Sequence, residues 1–186
     1  MRLLARPIPK FDSKKDFLKI LTKNSKINKK HPEKKDNKSK FPKKSRYELS
    51  CGPIIFNIHT DKPLYLLVQY PTYWGFVKGK VEPGETEENT AFRETYEEVG
   101  LSDLQFIGGF RESQQFFFKG DNEIIRKEVV YLLARTSSWK IKLSYEHLNF
   151  KWCTFEDALK LMRIKGTREI LVKAHEYLQK VYRAKF

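Results

Sequence analysis

The chain has 186 residues, room for one domain of ordinary size and little beyond it. Its net charge of +14 is unevenly spread: residues 1–46 hold 17 Lys and Arg against 4 Asp and Glu, whereas residues 47–186 hold 20 against 19. No window approaches the about 18 apolar residues of a membrane span, which argues against a membrane protein, and Cys51 and Cys153 stand too far apart for a thiolate metal site and read as buried thiols in a reducing compartment.

The leader comes first in chain order. Residues 24–46 carry almost no apolar side chains, so they cannot bury enough surface to offset ordering entropy, and disorder is expected across 1–46. A short exception lies at 13–21, where Ser13 and Asp16 resemble a capping box ahead of Phe17, Leu18, Ile20 and Leu21. A helix this short is marginal alone. The basic leader reads either as an electrostatic arm for RNA or another anionic surface, or as a solubilising tail or the product of an upstream start. It lacks the apolar core of a signal peptide, and its acidic residues fit a transit peptide poorly, so a cytoplasmic location is expected.

From Tyr47 onward the pattern is that of a folded domain. Residues 51–58 are rich in β-formers and lead through Asp61-Lys62-Pro63 into 64–69, which predicts a hairpin. Residues 86–99 predict a helix with Ala91, Phe92, Tyr96 and Val99 on its apolar side. Residues 104–118 and 124–134 predict a second strand pair joined by Lys119-Gly120-Asp121-Asn122. Thr154, with Asp157 three residues on, opens another helix, and a last helix from Thr167 aligns Ile170, Ala174, Leu178 and Val181. This order suits an α+β domain with a mixed sheet covered by helices.

The helix at 86–99 aims several carboxylates at one place. Glu94, Glu97 and Glu98 stand at i, i+3 and i+4, with Arg93 four residues before Glu97 and Glu85 just past the Pro83-Gly84 turn. Like charges so close repel, so a cation is expected among them. Oxygen-only ligands select a hard ion, Mg²⁺ or in its place Mn²⁺, whose shell is completed by water and phosphates. A solvated acidic face is the plainer alternative, but it leaves Gly79, Gly84 and Gly100 unexplained.

Gly79, five residues, Glu85, seven residues, then Arg93-Glu94, Glu97-Glu98 and Gly100-Leu101 resemble the signature of the Nudix hydrolases. The one departure is Thr95, where that family usually has an aliphatic residue. The resemblance covers about residues 47–182. It implies the Nudix fold, an α/β/α sandwich with a mixed sheet in which the signature forms a loop-helix-loop.

Two further segments are similar to the asymmetric diadenosine tetraphosphate hydrolases within that superfamily. One is Tyr73-Trp74-Gly75-Phe76-Val77-Lys78-Gly79, where Val77 replaces a proline and Lys78 can neutralise polyphosphate oxygens. The other is Leu143-Ser144-Tyr145-Glu146-His147 with Phe150-Lys151-Trp152 and Glu156-Asp157-Ala158. There the resemblance implies that Glu146 contributes to the metal site; His147 receives no catalytic part. Arg126 and Lys127 precede Val129-Val130-Tyr131-Leu132-Leu133-Ala134, as basic residues do in the similar enzymes. Phe116, Phe117 and Phe118 could stack a purine, although strand alternation turns only some of them to one face.

The expected reaction is hydrolysis of a phosphoanhydride. Glu94, Glu97, Glu98 and Glu146 hold the metal, Arg93 orients, and Lys78 with Arg126 or Lys127 holds the polyphosphate. Glu97, Glu98 and Glu146 all remain candidates for the base. The leading substrate is diadenosine tetraphosphate, a small-molecule nucleotide, cut to ATP and AMP. The alternatives are RNA 5′ pyrophosphohydrolysis or decapping, nucleoside triphosphate pyrophosphatase activity, and a silent nucleotide- or RNA-binding domain. A monomer is expected.

Overall fold

The computed structural model describes residues 45–119 and 124–183. The expected disorder and short helix of the leader, and the turn at 120–122, lie outside the described residues.

Among the described residues, seven strands join one mixed sheet. β1 (Ser45–His59) runs parallel to β6 (Ile124–Arg135), from Ser45↔Ile124 to Phe56↔Arg135, and β6 pairs antiparallel with β5 (Gln105–Lys119). On its other edge β1 changes partner. Its end pairs with β2 (Lys62–Gln69) at Phe56↔Tyr65 to His59↔Lys62, and its middle pairs with β4 (Gly79–Lys80) at Ser50↔Lys80 and Cys51↔Gly79. β2 also pairs with β3 (Trp74–Gly75) and β7 (Asn149–Cys153). The chain thus arrives at Gly79 already fixed against the middle of the sheet.

Alternation along the strands builds two cores. Val129, Tyr131 and Leu133 of β6 face α2 (Phe155–Leu161) and α3 (Lys165–Arg183) through Ala158, Ile170, Leu171, Ala174 and Leu178. Val130, Leu132 and Ala134 turn the other way, towards α1 (Glu87–Val99) through Ala91 and Val99. Both faces are covered, giving the expected sandwich.

Some local expectations need correction. The first hairpin turns at Thr60 and Asp61, with φ of 44° and 63°, and Lys62 and Pro63 already belong to β2. A two-residue hairpin turn needs positive φ at both central positions, and that demand prevails over the Pro cue. β3, β4 and β7 are strands too short or too polar to show as periodic runs. Tyr96, expected on the apolar side of α1, is 44% exposed, and Thr95 is buried in that helix instead. The Thr95 hydroxyl donates to the Ala91 carbonyl at 2.7 Å, which satisfies it where the family pattern has an aliphatic residue.

α1 is defined by its caps. Thr86 Oγ1 accepts from the Asn89 amide, and Gly100, at φ 73°, closes the helix with its N–H on the Tyr96 carbonyl. A Cβ at Gly100 would also come 2.9 Å from Lys142 Cβ. Gly100→Ala is therefore expected to cost about 1–2 kcal/mol, read as a lower urea midpoint with an unchanged slope. An unchanged midpoint would show that the left-handed cap is not needed.

Candidate active site

Arg93 is the hub of the carboxylate helix. Its side chain is only 14% exposed. Nε donates to Glu85 Oε1 at 2.7 Å and Nη2 to Glu85 Oε2 at 3.0 Å, a bidentate grip. Nη1 donates to Glu94 Oε1 at 2.6 Å, and Nη2 also reaches the Lys80 carbonyl at 3.0 Å. The expected contact to Glu97 exists but is the longest, at 3.3 Å. Arg93 thus holds the turn before the helix as much as the helix itself. Burial opposes the charge on Glu85, yet hydrogen bonds from Arg93, Thr90 and the Glu82 amide outweigh it and hold the carboxyl below its ordinary range.

Glu94 is positioned by what is missing beside it. A Cβ at Gly79 would fall on the Glu94 carboxylate, so glycine leaves free the space that this carboxylate occupies against β4. Burial pushes Glu94 up from the usual carboxylate range, against the pull of Arg93, and Glu98 and Glu97 push in the same direction as burial. An added cation would relieve that repulsion.

Glu98 is buried and close enough to Lys78 to favour its charge. Burial lowers the Lys78 pKa, while Glu98 foremost, with Glu94 and Glu146, favours its charged form. Lys78 Nζ donates to Tyr70 Oη at 3.1 Å and lies 4.3 Å from the Tyr70 ring centre. Tyr70 Oη in turn donates to the Phe76 carbonyl at 2.9 Å. Tyr70, stacked on Tyr73 at 4.5 Å, is a site residue that sequence reasoning missed. Its only cue was an aromatic just ahead of the Tyr73–Lys78 segment.

Glu146 is exposed, on a loop clamped to the end of α1 by Lys142 N–H to the Val99 carbonyl and Ser144 N–H to the Glu98 carbonyl. Arg126 and Lys127 are neighbours on β6 and face opposite ways. Lys127, paired with Phe116, lies on the α2/α3 side and is close enough to Lys78 to oppose its charge. Arg126 turns to the α1 side, 5.7 Å from the Tyr47 ring centre. Of this pair, only Lys127 joins Lys78. Phe116 and Phe118 stack at 6.2 Å on the Lys127 side, and Phe117 faces away.

Among the described residues, no three His, Cys, Asp or Glu side chains form a group that could hold an ion by themselves. The donor set nevertheless fits a hard divalent ion: carboxylate oxygens only, with the charge of Glu94 disfavoured by burial and by Glu98 and Glu97, and with Glu97 and Glu146 exposed. A closed cage, such as a thiolate zinc site, does not fit these residues.

Among the described residues, a seven-stranded mixed sheet between helices, with an Arg-centred carboxylate helix after Gly79, defines the class. Residues 49–173 match the NUDIX domain, and the chain belongs to the Nudix hydrolase family, whose members generally use divalent metal ions. It is 34% identical over 142 residues to the asymmetrical bis(5′-nucleosyl)-tetraphosphatase of Mus musculus, a match covering 69% of this chain and 94% of that one. The crystal structure of a C. elegans Ap4A hydrolase binary complex is similar with a TM-score of 0.64 and 32% identity, covering 72% of this chain and 98% of that one. A 29% identical relative is the RNA pyrophosphohydrolase of Legionella pneumophila (strain Corby), matched over 60% of this chain and 71% of that one. No helix among the described residues is long and apolar enough to cross a membrane.

Proposed function

We propose that this chain hydrolyses diadenosine tetraphosphate asymmetrically, to ATP and AMP, with Mg²⁺ as its metal. The observation that carries the reading is the placement of one half-buried lysine, Lys78, among Glu94, Glu98 and Glu146, in a chain 34% identical to an asymmetrical bis(5′-nucleosyl)-tetraphosphatase. Glu94, Glu97, Glu98 and Glu146 would hold Mg²⁺. When bound, the ion offsets charge on phosphate oxygens and makes water a better nucleophile.

The chain's own residues do the rest. Lys78, steadied by Tyr70, neutralises the polyphosphate as a point charge, and Lys127 extends the cationic path. Arg93 keeps Glu85 and Glu94 in register with β4. Glu97, Glu98 and Glu146 are the groups able to take the proton of the attacking water. Phe116 and Phe118 offer a stacking face for an adenine beyond Lys127.

The buried thiols Cys51, pushed up to about 12 by burial, and Cys153 suit a reducing cytoplasm. The Lys-rich leader would add an RNA contact through its charge. The basic charge of that leader and the Legionella relative support RNA 5′ pyrophosphohydrolysis as a second reading.

Product analysis with Mg²⁺ on dinucleoside polyphosphates, nucleoside triphosphates and triphosphorylated RNA separates the readings. The expected result is fastest turnover of diadenosine tetraphosphate to ATP and AMP. Two ADP molecules would rule the asymmetric assignment out, and faster stripping of RNA would favour the second reading.

A further inference from the structure

We infer that His147 is a positioning residue for the active-site carboxylate Glu98, fixing which oxygen of Glu98 faces the phosphate and metal. The inference rests on the proposed metal-dependent reaction.

His147 is fully buried, with 0% of its side chain exposed, and the Glu98 side chain is 4% exposed. His147 Nε2 lies 2.5 Å from Glu98 Oε2. A carboxylate that ligates a metal is ionised and only accepts, so in the proposed reaction the fitting tautomer carries its hydrogen on Nε2 and donates it to Oε2. Oε2 is thereby tied to the ring, and Oε1 is the oxygen outside this contact. Nδ1 is buried and has no hydrogen-bond partner among the described residues, so this ring is not held in place by a competing polar contact. What orients it is packing: the Tyr70 ring stands perpendicular to it with centroids 4.6 Å apart.

The contact joins two halves of the site. Tyr70 carries Lys78 on its hydroxyl and ring, and abuts His147, which grips Glu98. One connected set therefore sets the spacing between the phosphate-binding cation and the carboxylate. The segment bearing His147 is itself anchored, with Ser144 N–H on the Glu98 carbonyl and Leu148 N–H on the Gln69 carbonyl, both 2.8 Å. An ordinary buried histidine needs a partner. It does not need the signature glutamate, from a different element 49 residues away, as that partner. Groups that hydrogen-bond a metal-ligating side chain typically change metal affinity or activity by about 10–100-fold when removed.

The test compares His147→Gln, whose Nε2–H can replace the donated hydrogen, with His147→Leu, which fills the space without a donor. Mn²⁺ alone is titrated into each full-length protein and free Mn²⁺ is read by electron paramagnetic resonance. Thermal melts check folding, and kcat is measured against Mg²⁺ concentration. His147→Leu is expected to weaken Mn²⁺ binding by about 10-fold or more and to shift Mg²⁺ half-saturation upward in parallel, with His147→Gln within about threefold of wild type. Wild-type metal binding in His147→Leu, or an equal loss in a folded His147→Gln, would overturn the inference. If His147→Leu does not fold, His147→Gln decides: wild-type Mn²⁺ affinity and Mg²⁺ half-saturation support the role, and loss of either overturns it. Failure of wild type itself to bind Mn²⁺, with Glu98→Gln still active, would instead sink the metal-dependent reading and this inference with it.

Discussion

Glu97→Gln is expected to lower kcat on diadenosine tetraphosphate by about three orders of magnitude, near 4 kcal/mol of transition-state stabilisation, at saturating Mg²⁺. The Glu97 side chain is 51% exposed and, among the described residues, makes only the long contact to Arg93, so its replacement should barely move the melting temperature. Glu98→Gln should lower kcat at least as far. It also disturbs a buried contact with His147, so some stability should go with the activity. The two variants thus separate chemistry from folding: one loses turnover in an intact protein, the other loses both. Near wild-type turnover in both would contradict the assignment of this helix as the catalytic element.

Arg93→Ala should have the largest effect on stability. The arginine is largely buried and serves Glu85 twice, Glu94 once and a backbone carbonyl. Its removal leaves two nearly buried carboxylates, 10% and 14% exposed, without their cation. Breaking a buried pair from one side typically costs about 3–5 kcal/mol, because a buried charge is left uncompensated. Arg93→Lys should recover only part of this, since an ammonium cannot reproduce the fork that grips both oxygens of Glu85. Arg93→Ala combined with Glu85→Ala should cost less than the sum of the two single changes. Urea denaturation of the four proteins measures this, and strict additivity would show that the contact contributes nothing to folding.

Most of this architecture was legible in the sequence because its signals are local. The i, i+3, i+4 carboxylates, the Thr86 cap and the Gly100 stop define α1 without reference to anything distant. The strand pairs of β5 and β6, and the helices after Thr154, follow from periodicity in the same way. What was hidden depends on partners far apart in the chain. The grip of Arg93 on Glu85 was obscured by the attractive i, i+4 spacing to Glu97. Arg126 and Lys127 could not be told apart until pairing with β5 and β1 fixed which face each takes. His147 looked like an ordinary structural histidine, since nothing near it in sequence shows that Glu98 stands against it. Tyr70 was missed for the same reason: its meaning lies in Lys78 above it and His147 beside it. Short strands such as β3 and β4 carry no period at all, and only the sheet around them makes them strands.

The central claim is that water, not a protein nucleophile or another acceptor, cleaves one anhydride of diadenosine tetraphosphate off centre. Hydrolysis in H₂¹⁸O with Mg²⁺, followed by mass spectrometry of the separated nucleotides, tests it directly. ATP and AMP are expected in equal amounts, with ¹⁸O in only one of the two. Two ADP molecules, or products that contain no label, would contradict it.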